Sequence, residues 1–345
     1  MKFFKLSLLV VALLATVNVF AQDEEEKDPP LSISGFADVY YQYNFNENAP
    51  GLTSFTAANN SIELGMANVV LSKQVGKVGF VADLGFGQRA NDANGTGAST
   101  LDAVKQLYIT YAPSDKVTLT AGNFGTHVGY EIIDANGNFN YSTSYLFSYG
   151  PFYHTGIKAD FALSDKIGAM IGIFNDTDSK IDVAAGKHIG AQLSYSDDKI
   201  GLYLNYLGGN AGVDSTDAHQ IDLTGTFQAS DDFLIGLNVS NKSIVPDAGD
   251  NTSWFGTAVY LNYDVSEKFG LGLRGEYFAD GDGEALGLGD VNVTEFTLSA
   301  NLKEGPFTFI PEFRIDSASE DIFFDADGAA TGSSTTFLMA VVYSF

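Results

Sequence analysis

The sequence predicts an all-β protein, a transmembrane antiparallel β-barrel of about sixteen strands with short turns at one end and long loops at the other. Three observations predict it. Apolar and polar residues alternate with period two from about residue 31 to the end, the spacing of a strand with one greasy face. The connections between these stretches are short and long by turns. No apolar run approaches the ~20 residues that a spanning helix needs, whereas a tilted spanning strand needs only ~10.

Bulk composition narrows the class further. A chain of 345 residues is long enough for two soluble domains or for one large barrel. There is no cysteine, so neither a disulfide framework nor a thiolate metal site is available, and a lipid-modified N-terminal cysteine is not expected. The 43 acids against 18 bases argue against a nucleic-acid partner, which needs Lys and Arg concentrated on one face. Acidity alone would fit disorder, but 27 Phe, 17 Tyr and 37 Gly do not.

The first segment stands apart from the fold. Lys2 and Lys5 precede the apolar run Leu8 to Ala15, and Val19-Phe20-Ala21 has the small-residue pattern of a cleavage site. Residues 1–21 therefore read as a secretory signal peptide. Residues 22–30, which carry the acidic run DEEEKDPP, read as a periplasmic leader with no reason to be ordered.

From Pro30 onward the elements follow in order. The first strand, about 31–45, sets Val39, Tyr41, Tyr43 and Phe45 against Asp38, Gln42 and Asn44. Stretches 59–75 and 77–90 meet across Gly76, the second with Val78, Phe80, Leu84 and Phe86 opposite Asp83 and Arg89. Further pairs are 101–112 with 117–127, 153–163 with 166–175, and 187–196 with 199–208. Then come 218–229 with 232–243, 253–264 with 268–279, and 291–302 with 306–316, before 335–345 closes the set. Seven connections are turns of a few residues such as Ser164-Asp165, and eight are longer: 46–58, 91–100, 128–152, 176–186, 209–217, 244–252, 280–290 and 317–334. Sixteen strands with both ends on one side need that count, and short periplasmic turns with longer external loops are the habit of bacterial outer-membrane barrels. One misread hairpin would make the number fourteen or eighteen. In hydrocarbon an unpaired strand edge is too costly, so first and last strands must pair.

Alternation then assigns the two faces. Outward rows include Ile167, Ile171 and Ile173, and Leu202, Leu204 and Tyr206, with aromatics such as Tyr111, Phe227, Tyr263 and Tyr277 near strand ends as interfacial girdles. Inward rows carry the acids Asp38, Asp83, Asp160, Asp222, Glu276, Glu295, Glu312 and Asp316 and the bases Arg89, Lys158, Lys242, Arg274 and Arg314. An interior this polar predicts water rather than a packed core, and the excess of acids predicts a mild cation preference. A register slip of one residue would reverse any single assignment.

The last strand carries the first resemblance. Phe337, Met339, Val341, Tyr343 and Phe345 form one apolar row that ends on the terminal aromatic, which resembles the closing strand of Gram-negative outer-membrane β-barrels. That resemblance implies that this row is the signal read by the barrel-assembly machinery. SGFADVYYQYNF at 34–45, VVLSKQVGKVGFVADLGFG at 69–87 and GNFGTHVGYEIID at 122–134 resemble the OmpL-like family of outer-membrane β-barrel porins, over most of residues 31–345. The resemblance implies a location in the outer membrane among lipid and lipopolysaccharide, passive passage of small hydrophilic solutes, no catalysis, and no cofactor or metal. In sixteen-stranded porins the third loop folds into the pore, and trimers are the rule. The third loop here, 128–152, carries apolar Ile132, Ile133, Tyr145, Leu146 and Phe147 that need cover. Folded inward, it would set Glu131 and Asp134 at the constriction, with Arg274 and Arg314 opposite them in a transverse field. The alternative is an external aromatic loop that covers the mouth or meets a partner.

Two other function classes stay open at this point. An outer-membrane enzyme could use His127 and His154, which bracket the third loop, with Asp134, Ser142 and Ser144 between them. An adhesive barrel could use its acidic loops. The stretch 280–290 starts as a calcium loop does, with Asp280, Asp282 and Glu284, but has Ala285 where glycine is expected and Val291 at the twelfth position.

Overall fold

The computed structural model describes residues 29–49, 51–95, 99–182, 186–211, 216–247 and 249–345. The expected signal peptide and residues 22–28 of the leader lie outside them.

All sixteen predicted stretches are strands of one closed antiparallel barrel. They are β1 (Ser32–Asn44), β2 (Ser61–Val75), β3 (Val78–Phe86), β4 (Val104–Ser114), β5 (Val117–Gly125), β6 (Tyr153–Ala162), β7 (Ile167–Phe174) and β8 (His188–Ser196). There follow β9 (Ile200–Ala211), β10 (Thr216–Ser230), β11 (Phe233–Val245), β12 (Thr252–Ser266), β13 (Phe269–Asp280), β14 (Val291–Glu304) and β15 (Phe307–Ala318). A small pair not expected from the sequence, β16 (Phe323–Phe324) and β17 (Ala330–Thr331), sits in the last loop before β18 (Ser333–Ser344) closes the wall. The seam runs from Phe36 opposite Ser344 to Asn44 opposite Thr336. At its lower end Phe345 and Gly35 exchange both backbone bonds, at 3.0 and 3.1 Å. No edge is left in the wall, as hydrocarbon requires.

The outer face is the apolar one. Ile62, Ile157, Ile173, Leu193 and Leu204 are each more than half exposed, because each stands outward where only lipid can cover it. Phe45, Tyr111, Phe227, Tyr263, Tyr277, Tyr343 and Phe345 are likewise exposed toward the strand ends, where aromatic rings bridge apolar and wet zones. Below them Ser114, Ser164 and Ser266 accept from the amides of Lys116, Lys166 and Lys268 and tighten the short turns.

Two sequence expectations need correction. The stretch 77–90 does not stay extended to its end. Gly87, at φ 114°, turns the chain into α1 (Gln88–Asn94), so Arg89 stands on a helix in the second loop and not on a strand. The interior is also not uniformly polar. Leu338, Ala340 and Val342 point inward from β18 and pack with Phe36, Tyr40, Ile133 and Tyr141. The alternation there is real, but both faces of the last strand are apolar because a loop covers the inner one.

Leu204 stands outward near the middle of β9. Leu204→Arg is expected to lower folding stability in lipid vesicles by about 2–4 kcal/mol, the cost of a midplane charge on a barrel's lipid face. Thr226→Arg, on a lumen-facing position, is expected to change it far less in the same denaturant titration.

Candidate functional site

The third loop, residues 126–152, enters the barrel and runs most of its depth. Its tip lies low, where Asn136 donates to Ser344 at 3.3 Å and Asn301 donates to the Phe139 carbonyl at 2.9 Å. Asn138 closes the tip by bonding both the amide and the carbonyl of Ile132. The chain then climbs back to α2 (Tyr145–Ser148) beneath the first loop. Any backbone segment placed inside a barrel must find partners for its amides and carbonyls, and here the wall supplies them.

Carboxylates take the amides. Glu312 accepts from Tyr141 N at 2.7 Å and Ser142 N at 3.1 Å, and Glu276 accepts from Tyr145 N and Leu146 N at 2.8 and 2.7 Å. Asp222 accepts from Gly129 N at 3.0 Å, and Asp38 accepts the Tyr141 hydroxyl. Guanidinium groups take the carbonyls. Arg274 donates to Ser142 O and Arg314 to Thr143 O, both at 2.7 Å. Arg89 donates to Ile133 O and Tyr141 O at 3.1 and 3.2 Å, its plane resting on the Phe55 and Tyr141 rings. Bonds in which one partner is charged are about twice as strong as neutral ones.

The same charges are therefore spent on the loop rather than presented to solute. Glu131 does meet Arg274, as the sequence suggested, but in direct contact at 2.6 Å. Both are buried, and Glu131 also takes Ser144 N at 2.8 Å. Arg274 further binds Glu295 at 3.0 Å, and Arg314 binds Asp316 at 2.8 Å. The expected field between Glu131 and the arginines across an opening is thus replaced by a desolvated network beneath the loop. Asp134 keeps about a quarter of its side chain exposed and is paired with Lys105.

Lys105 is the residue that alternation missed. Its neighbours Leu107 and Ile109 point outward, so period two would send it out as well. A register shift where β3 meets β4, between Asp83 and Leu84, turns it inward against Asp83 at 2.7 Å. A bulge of one residue is invisible to a period-two reading. The first loop was missed too. Phe55, held at φ 75°, enters between Arg89, Phe147 and Phe152, and Ser54 bonds Ser148 and Thr143.

The remaining assigned residues lie on the other half of the wall. Lys158 and Asp160 of β6 face inward as a 3.0 Å ion pair with side chains 26% and 39% exposed. Asp222 is buried, held by Asn205 and Asn238 at 2.8 and 2.6 Å. Phe337, Met339, Val341, Tyr343 and Phe345 line the outer face of β18, all of them at least partly exposed. Close approach of loop to wall also depends on Gly236, where a Cβ would lie 2.4 Å from the Tyr130 hydroxyl.

The suggested catalytic group is not assembled. Asp134 is on Lys105, Ser142 on Arg274 and Ser144 on Glu131, while His127 and His154 pack on each other. In the acidic loop, Asp280 caps the amides of Ala285 and Leu286, and Asp282 takes Ser253 N. Among the described residues no group of acids or histidines is arranged to hold a metal.

Comparison with known families matches residues 30–345 to beta-barrel porin-2, OmpL-like. The chain belongs to that family. As an OmpL-like porin it is a protein of the outer membrane, and its fold has solved counterparts. An anion-selective porin from Comamonas acidovorans is 11% identical, with TM-score 0.64 over 92% of this chain and 99% of that one. The outer membrane channel DcaP of Acinetobacter baumannii is 13% identical, with TM-score 0.63 over 94% and 100%. A trimer form of OmpT from Vibrio cholerae is 12% identical, with TM-score 0.61 over 92% and 99%. No curated protein sequence matches the porin.

Because Glu312 satisfies two loop amides and the Ser299 hydroxyl, Glu312→Ala is expected to cost about 2–4 kcal/mol through buried donors left unpaired. Arg274→Ala leaves Glu131 and Glu295 uncompensated and is expected to cost about 3–5 kcal/mol. Both losses are read as lower denaturation midpoints, with hydrogen exchange rising first in 131–146.

Proposed function

We propose that this porin passes small hydrophilic solutes by diffusion, without catalysis, through the half of the lumen that the third loop leaves free. One observation carries the reading. Arg274 and Glu295 are wholly buried beneath the loop, whereas Lys158 and Asp160 on the opposite side keep a quarter to two-fifths of their side chains in solvent. On this reading the loop narrows the barrel from one side, and the solvated wall at Lys158 and Asp160 belongs to the passage that remains. Selectivity then follows from the width between loop and wall more than from the arginines.

The passage is mildly cation-preferring on this reading. Asp222 and Glu312 are held by amide and hydroxyl donors and not by Lys or Arg, so they add uncompensated negative charge to the interior. The anion selectivity in the name of the Comamonas protein belongs to that protein. A homotrimer is the assembly that fits the wall. β3, β5, β6, β7 and β8 have eight to ten residues, while β10, β12 and β14 have fourteen or fifteen. The low side is the one proposed to face neighbouring subunits, since its strands only just reach the ~9–11 residues that a tilted strand needs to cross the hydrocarbon.

Planar-bilayer recording tests the channel directly. Steps of stable size are expected, with a reversal potential on the cation side in a salt gradient that Asp222→Asn moves toward zero. Removing residues 132–147 is expected to enlarge the step. A folded barrel that never conducts would refute the reading.

A further inference from the structure

The third loop is tied to the wall at its foot by a pair of histidines. His127 is the second residue after β5 and His154 the second residue of β6, so they stand where the loop leaves the wall and where it returns. Their rings lie 5.0 Å apart, and His154 stacks on Phe174 at 4.5 Å and 9°. Phe124, Val128, Met170, Phe174 and Leu207 form the buried apolar cluster at this place. Gly190 makes room for the arrangement, since a Cβ there would stand 2.8 Å from the His127 ring and 2.3 Å from that of Phe174.

Hydrogen bonding fixes the resting state. His127 Nε2 faces the Tyr206 carbonyl at 3.0 Å. A carbonyl only accepts, so Nε2 carries the proton and Nδ1 is a bare lone pair, buried and without a hydrogen-bond partner among the described residues. His154 Nε2 meets the Thr126 hydroxyl at 3.0 Å, and its Nδ1 is also buried and unpartnered. A second proton on the His127 ring thus creates a donor with no acceptor among the described residues, in an apolar cluster, beside another imidazole.

We propose that the His127–His154 pair is an acid-sensitive latch, neutral when the third loop is seated and opened by protonation, which drives the foot of the loop out of the apolar cluster into the lumen. The nearest cations act in the same direction. Lys158 on β6 bears on both rings, and Lys242 on β11 bears on the neighbouring His188. His188 at the start of β8 is the third ring of the group and is drawn to Asp176 at 3.8 Å. Asp222 on β10 is occupied by Gly129 N and two asparagines. Burial holds the His127 ring down to about 4. The unfolded ring titrates near 6.5, so the seated form is favoured above that value and loses its advantage as pH falls through about 4. Asp178 in the fourth loop works the other way. It accepts Phe152 N and Tyr153 N at 2.8 and 2.9 Å, and burial raises its carboxyl to about 6. Its neutralisation favours the seated loop as pH falls from about 6 toward its ordinary range, so it opposes release of the loop over the same interval.

The inference rests on the channel reading for its consequence but not for its test. Hydrogen exchange of the whole protein in detergent or vesicles, corrected for the intrinsic pH dependence, is expected to show residues 126–129 and 152–155 losing protection at least tenfold between pH 7 and pH 4 while β12 to β15 keep theirs. In bilayers the same acidification is expected to lower the conductance step reversibly and reduce the cation preference. His127→Phe/His154→Gln should keep the neutral-pH step and abolish both responses. Unchanged protection at the loop's foot in the wild type at pH 4 overturns the latch, whether or not the protein conducts. An equal acid response in the double variant does so too. Should that variant fail to fold, His127→Asn alone and the wild-type exchange profile decide.

Discussion

Everything inside this barrel depends on how the backbone of the third loop is satisfied. A polypeptide that enters a closed wall brings amides and carbonyls that water no longer serves freely, and each unpaired one is costly. The wall, joined by Arg89 from the helix of the second loop, answers with ionised groups in matched roles. Glu312, Glu276 and Asp222 accept from amides, while Arg274, Arg314 and Arg89 donate to carbonyls. The arginines and acids also compensate one another, as in the contact of Arg274 with both Glu131 and Glu295. Such a network has little to recommend it as a source of raw stability, because burying charges is expensive. Its value is positional, since carboxylates and guanidinium groups fix a loop in place more sharply than apolar packing alone.

That use of charge separates the number of ionisable groups in the lumen from the number that a solute meets. Lys158 and Asp160 remain in solvent and are paired, whereas the charges that looked best placed for a transverse field are beneath the loop. Arg274 and Glu131, engaged with each other beneath the loop, present no free charge to the lumen.

The wall was legible in the sequence and the loop's attachments were not. Alternation located all sixteen strands, and the sorting of short and long connections set which side each faced, because a single chemical contrast (lipid outside, loop or water inside) governs every position. The loop's entry was readable only as a need: Ile133, Tyr145 and Phe147 required cover. What held it could not be read, since the partners of Glu312 and Glu276 are backbone amides more than a hundred residues away and any residue type supplies those. Lys105 escaped for a local reason, and Arg89, assigned correctly to the interior, was placed on the wrong element for another. A bulge reversed the first, and Gly87 ended the strand before the second.

The contact between Asn136 and Ser344 has a consequence for biogenesis. The tip of a loop from the first half of the chain rests on the final residues of the last strand, and Tyr141 reaches Asp38 on the first. The floor on which the loop lies is thus assembled from the two strands that meet last. Until β18 joins β1 the floor on which Ile133, Ala135 and Tyr141 settle is incomplete, although the acceptors for the loop's amides on β10, β13 and β15 are already in the wall. Sealing the cylinder and completing the floor beneath the loop's tip are then one event.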